Sequence, residues 1–112
     1  MKISDIEKRT RIVLMDEQEP FRWSSAFIRM ALEDAIAFLH SIRPETKYVN
    51  GACVGGVELP EDGNAEFPLD LRYREGVVSY VAHKCFERDN SDTQNLTLSE
   101  TYLNKAKTLM QL

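Results

Sequence analysis

Between Ser24 and Pro44 the chain carries one unbroken apolar stripe: Phe27, Ile28, Ala31, Leu32, Ala35, Ile36, Leu39 and Ile42. Steps of three and four residues place all of these on one side of an α-helix, whereas a half-buried strand would alternate. Arg29, Glu33, Asp34 and His40 fall on the other side. Ser24 or Ser25 offers an N-cap and Pro44 stops the pattern, so a helix is expected over residues 24–43. Such a stripe must be covered by other elements, and this helix is expected to be the spine of the core.

Three further helices follow from the same reasoning. Ser4 and Glu7 form a capping box ahead of Ile6, Arg9, Val13 and Leu14, with Ile12 and Met15 nearby, which gives a helix over about residues 4–15. Asp16 to Pro20 breaks it. Asp70 can cap a helix running to about residue 88, with Val77, Val78, Val81, Cys85 and Phe86 as its apolar side and Leu71 and Tyr80 contributing. Gly76 weakens that helix by roughly 1 kcal/mol relative to alanine and marks a close helix–helix approach. Ser91 and Gln94 form a second capping box for a helix over residues 92–111, through Leu98, Tyr102, Lys105, Leu109 and Leu112.

Residues 47–68 read differently. Tyr48, Val49, Ala52, Cys53 and Val54 precede Gly55-Gly56 and then Val57-Glu58-Leu59-Pro60, the pattern of a β-hairpin turning on the glycine pair. Asn50-Gly51 is a competing turn signal. Glu61 to Pro68 is acidic and reads as a surface loop. The expected fold class is therefore mainly α: a single domain over residues 1–112, bundle-like with four helices and a β-hairpin between the second and third. At 112 residues the chain can bury roughly 65% of its unfolded surface, enough for one core.

Composition narrows the function classes. A net charge of −4 favours solubility and has the wrong sign for coating nucleic acid. Lys2, Lys8, Arg9 and Arg11 gather locally and read as a solvated helix face. Cys53 and Cys85 lack metal-ligand spacing, and two reduced thiols are the default. No stretch approaches the roughly 20 apolar residues of a membrane span.

A catalytic constellation does not emerge. His40 and His83 lie in no ligand or catalytic spacing, and His83-Lys84-Cys85 points neighbouring side chains in different directions, which makes Cys85 core and His83 surface. The carboxylate pairs Glu33-Asp34 and Glu61-Asp62 do not converge on one substrate. The glycines at 51, 55 and 56 lack the Lys-Ser/Thr of a phosphate loop. No catalytic residue, metal ligand or cofactor site is assigned, and the chain is expected not to be an enzyme.

Taken in order, several motifs resemble the head–tail connector, or adaptor, proteins of tailed bacteriophages, over about Ile3 to Leu109. They are Arg22-Trp23-Ser24 at the bend, Asp34-Ala35 through Ile42-Arg43-Pro44, and the Leu59-Pro60 that closes the expected hairpin. Arg74, Val78, Tyr80 and Val81 follow the family's later helix with a spacing one residue off, and Phe86-Glu87-Arg88-Asp89 gives its acidic exit. Asp89 to Asn95, leading into the last helix, is the most characteristic part.

The resemblance implies a structural virion protein at the head–tail interface, present in the host cytoplasm during assembly. Such adaptors form a homo-oligomeric ring under the portal protein, usually twelve-fold, extend the DNA channel, and carry the tail or nozzle protein. It also implies a portal contact through the C-terminal helix, here Tyr102, Lys105, Ala106, Leu109, Met110 and Leu112. Deleting residues 106–112 is then expected to leave a folded subunit that docks poorly. A ring needs two different faces per subunit, and the expected intersubunit residues are Trp23, Tyr48, Val49, Val54 and Val57. Of the two readings of Trp23, a core cover over the second helix is favoured over the intersubunit anchor. An acidic channel would pass DNA without specific binding. The alternative is another oligomeric helical interaction module, such as a tail completion protein.

Overall fold

The computed structural model of the chain describes residues 2–49, 52–53, 59, 61–88 and 93–111. Four α-helices account for most of it: α1 Ile3–Leu14, α2 Ser25–Ile42, α3 Arg74–Arg88 and α4 Thr93–Gln111. Short 3-10 turns at Pro44–Lys47 and Leu71–Tyr73 follow α2 and lead into α3.

The protein is mainly helical, and the expected β-hairpin is a correction. Pairing between α2 and α3 amounts to Tyr48 opposite Cys53 and Val49 opposite Ala52. Among the described residues that is two residues per arm, and so short a ladder is marginal in water. Both turn signals, Asn50-Gly51 and Gly55-Gly56, lie outside the described residues, as do Val54 and Val57. Beyond them the chain returns to its own subunit, where Leu59 is buried and its N–H donates to Glu33 Oε1 on α2 at 3.3 Å.

The helix packed on all sides is α3, not α2. From Gly76 to Phe86 every residue of α3 except Lys84 is buried, and α1, α2 and α4 all lie against it. A helix apolar all round belongs in the middle of a fold, and the run Gly76-Val77-Val78-Ser79-Tyr80-Val81-Ala82 has that character. The α2 stripe is the second half of the same core, with Ile28, Leu32, Ile36 and Leu39 at or near zero exposure. Truncating Leu32 to alanine would cost about 2–5 kcal/mol.

The first helix starts without its capping box. Its N-cap is Lys2, whose side chain accepts nothing, and Ser4 already lies inside the helix. Two of the amides at its start are satisfied by the 61–66 segment: Ile3 N–H donates to the Ala65 carbonyl at 3.1 Å and Ser4 N–H to that of Gly63 at 2.9 Å. The expected surface loop is thus the cap of α1, anchored by the buried Phe67. Glu7, freed from capping, pairs with Arg29 of α2 at 3.3 Å. At α2 the expectation of a serine cap is met by Ser24, whose Oγ accepts from Phe27 N–H at 3.1 Å.

The buried face of α4 is rotated from the expected one. Ser99, Ala106 and Met110 are buried, whereas Leu98 is 39% exposed and Leu109 half-buried. A Cβ placed on Gly76 of α3 would lie 2.8 Å from Met110 Cγ, so α3 and α4 approach closely towards the end of α4, with Met110 filling the space beside the glycine.

Candidate functional site

Three polar clusters join the helices. The first ties the 15–24 connector to α1 and α2. Asp16, 7% exposed, accepts from Arg11 Nη1 at 2.9 Å, from Arg22 N–H at 2.8 Å and from Trp23 N–H at 3.2 Å. Arg11 also donates to the Trp23 carbonyl at 3.1 Å and Ser25 Oγ at 3.2 Å, and its guanidinium covers the Phe21 ring at 3.9 Å. Arg11 is therefore no part of a solvated face. It is half of a largely desolvated pair to which further hydrogen bonds are added, the arrangement that makes burying such a pair tolerable.

The second cluster fastens α3 to α4. His83 is buried, against the expectation that it is surface. Its Nδ1 lies 2.8 Å from Ser99 Oγ and 3.0 Å from the Ser99 carbonyl, and its Nε2 lies 3.1 Å from Glu87 Oε2. Burial pushes the imidazole below its ordinary range, more strongly than Ser99 and Glu87 pull it up. The third cluster joins the ends of α2 and α4. Arg43 Nε donates to the Met110 carbonyl at 2.5 Å, and Nη2 donates to the Gln111 carbonyl. Nearby, His40 Nδ1 sits 2.8 Å from Thr46 Oγ1, its pKa also lowered by burial and then by Lys47.

All three clusters are consumed by architecture. Cys85 is wholly buried and its thiol is pushed up to about 12, chiefly by burial, which removes the thiolate that nucleophilic chemistry needs. Among the described residues, no three His, Cys, Asp or Glu side chains gather as a metal-binding set, and no helix is long and apolar enough to cross a membrane.

The residues expected at interfaces divide sharply. Trp23 is a core cover: it is 4% exposed, its Nε1–H donates to the Cys85 carbonyl at 3.2 Å, and its ring meets Phe86 edge-on at 5.6 Å. Tyr48 is 58% exposed. Val49 contributes only its backbone pairing to this description, and Val54, Val57 and Leu112 lie outside the described residues. On α4, Ala106 and Met110 are buried and Tyr102 stacks on Phe86 at 5.8 Å. Among the described residues expected at a portal contact, Lys105 is exposed and Tyr102 and Leu109 are half-buried.

Two open grooves lie elsewhere on the surface. One, of about 670 Å³, runs along Glu45, Tyr48, Glu66, Asp70, Arg72 and Tyr73. The Glu45 carboxyl is held below the usual range by its own backbone N–H, with Arg43 and Arg72 adding to this. The other, of about 560 Å³, is lined by Asp5, Lys8, Arg9, Ile12, Leu71 and Arg74. Ile12 is 57% and Leu71 59% exposed, so two large apolar side chains stand in water among cations. Leu69 belongs to the walls of both grooves. Sequence reasoning missed the second groove because it counted Leu71 as core. The available signal was Ile12, which falls off the Ile3, Ile6, Thr10, Leu14 stripe that α1 buries.

Comparison of the chain with family models, with curated proteins and with solved structures finds no match.

Proposed function

We propose that this protein is a structural virion component of the head–tail connector kind: a helical subunit that assembles into a ring beneath a portal protein, extends the DNA channel and carries the tail or nozzle. The observation that carries this reading is the exposed apolar pair Ile12 and Leu71 beside Lys8, Arg9 and Arg74. Polar side chains of the interior are occupied in holding helices together, whereas this apolar pair stands exposed. An apolar centre rimmed by charge is the usual composition of a protein–protein contact.

The resemblance set out above supplies the identity of the partners, and the structure gives some of its motif residues a physical use. Arg22 lies over the Trp23 ring at 4.3 Å, and Arg43 of the Arg43-Pro44 pair holds the end of α4. Subunit docking to the portal then uses exposed positions, Lys105 foremost, because Ala106 and Met110 are spent inside the subunit. The acidic balance of −4 suits a channel that lets phosphates slide past.

The test is genetic. Particles made without this protein should accumulate as DNA-filled heads and separate tails, and supplying the protein should join them. Heads and tails that join at the normal frequency without it would overturn the reading.

A further inference from the structure

We infer that successive copies of this chain pack head to tail by seating the apolar, cationic groove of one subunit on the acidic, aromatic groove of the next. The inference rests on the ring reading above and names the surfaces that reading leaves open. A cyclic assembly is heterologous, so each subunit must carry two different surfaces that complement one another and do not overlap. The two grooves differ in character and adjoin along Leu69, which lines both.

Their charges are opposite. The first groove sets Glu45, Glu66 and Asp70 against Arg72, whose guanidinium is laid over the Tyr73 ring at 4.8 Å, and Arg43 pairs with Glu45 at 3.2 Å, which leaves an acidic balance. The second sets Lys8, Arg9 and Arg74 against Asp5, with Glu75 bound to Arg9 at 2.5 Å and to Arg74 at 3.3 Å. Even counting Glu75, the cationic side keeps its sign. The apolar content is matched too: Ile12 and Leu71 on one side face Tyr48 on the other, an aromatic ring more than half exposed. Apolar contact supplies the holding energy, and the charges set register and exclude like-to-like pairing. Like grooves would oppose like charges, so the charges favour pairing of unlike grooves, and the ring reading makes that pairing successive around an axis.

Charge reversal tests this with the full-length protein. One variant carries Lys8→Glu with Arg74→Glu, and the other Glu45→Lys with Glu66→Lys. Each is first shown to be folded by circular dichroism and a cooperative melt. Sedimentation should show the unaltered protein self-associating, each variant alone weakened at least tenfold, and an equimolar mixture of the two associating again. If folded variants assemble as the unaltered protein does, or if their mixture stays apart, this interface is wrong while a ring through other surfaces survives. If the unaltered protein fails to associate at any concentration, with or without portal protein, the ring reading falls and the interface falls with it.

Discussion

Arg43, at the end of α2, donates through Nε to the carbonyl of Met110 near the end of α4, and through Nη2 to that of Gln111. The last carbonyls of a helix have no partner within it, and a cation there also opposes the helix dipole. One side chain therefore closes the C-terminus of the last helix from a position 67 residues earlier. Arg43→Met keeps the aliphatic stem and removes the donors. It should cost about 1–3 kcal/mol, read as a lower urea midpoint at unchanged slope, and an unchanged midpoint would refute the clamp.

The same contact changes the expectation for truncation. Removing residues 106–111 takes Ala106 and Met110 out of the core and leaves Arg43 without its acceptors. The shortened chain should lose its cooperative melt instead of remaining a folded subunit that docks poorly.

Gly76→Ala weighs two opposed effects. Alanine in a helix gains roughly 1 kcal/mol over glycine. Here its Cβ would sit 2.8 Å from Met110 Cγ and 3.5 Å from Leu109 Cβ, forcing α3 and α4 apart. Overpacking of this kind costs about 1–3 kcal/mol, so the net change should be destabilising. Adding Met110→Ala should make the pair non-additive, with the double variant losing less than the sum of its parts in thermal unfolding.

Met15 closes α1 in the left-handed region, with φ 56° and ψ 39°, while its side chain is 90% exposed. Glycine adopts that conformation without the Cβ penalty. Met15→Gly should stabilise the protein by up to about 1 kcal/mol, and Met15→Val should destabilise it. Equal melting temperatures for the three proteins would contradict the assignment.

Acid should weaken the fold through its two histidines. Both His40 and His83 have pKa values lowered from 6.5, His83 by burial outweighing Ser99 and Glu87, His40 by burial and Lys47. The unfolded chain then binds protons that the native one refuses, so this stability is complete above 6.5 and is lost as pH falls towards the native values. Urea midpoints should decline on acidification below pH 6.5, and His40→Gln with His83→Gln should flatten the decline. Midpoints that rise on acidification would reverse the sign.

Much of the helical plan was legible because it rests on local rules. The α2 stripe and the Ser24 cap could be read from spacing alone, and Gly76 announced the close approach that Met110 fills. What escaped depends on tertiary partners. Glu7 could bond either Ser4 or a distant cation, and only folding decides that it meets Arg29. His83 has a polar side chain that reads as surface until Ser99 arrives from another helix. The α4 leucines looked like core, yet α4 turns Ser99, Ala106 and Met110 inward and leaves Leu98 exposed, a rotation set by its packing on α3. The glycine pair at 55–56 outshone Asn50-Gly51 as a hairpin signal, but among the described residues the pairing is confined to residues 48–49 and 52–53, and Leu59 is drawn to Glu33. For the candidate site, the exposed Ile12 could have been found from the α1 periodicity, whereas its juxtaposition with Leu71 and Arg74 could not.

The central claim is that this helical subunit exists to assemble. The direct measurement is electron microscopy of the purified protein mixed with the portal protein of the same virion. The account expects an added ring of density beneath the portal, coaxial with its channel and made of many copies of this chain. A portal that emerges unchanged beside dispersed single subunits would contradict it.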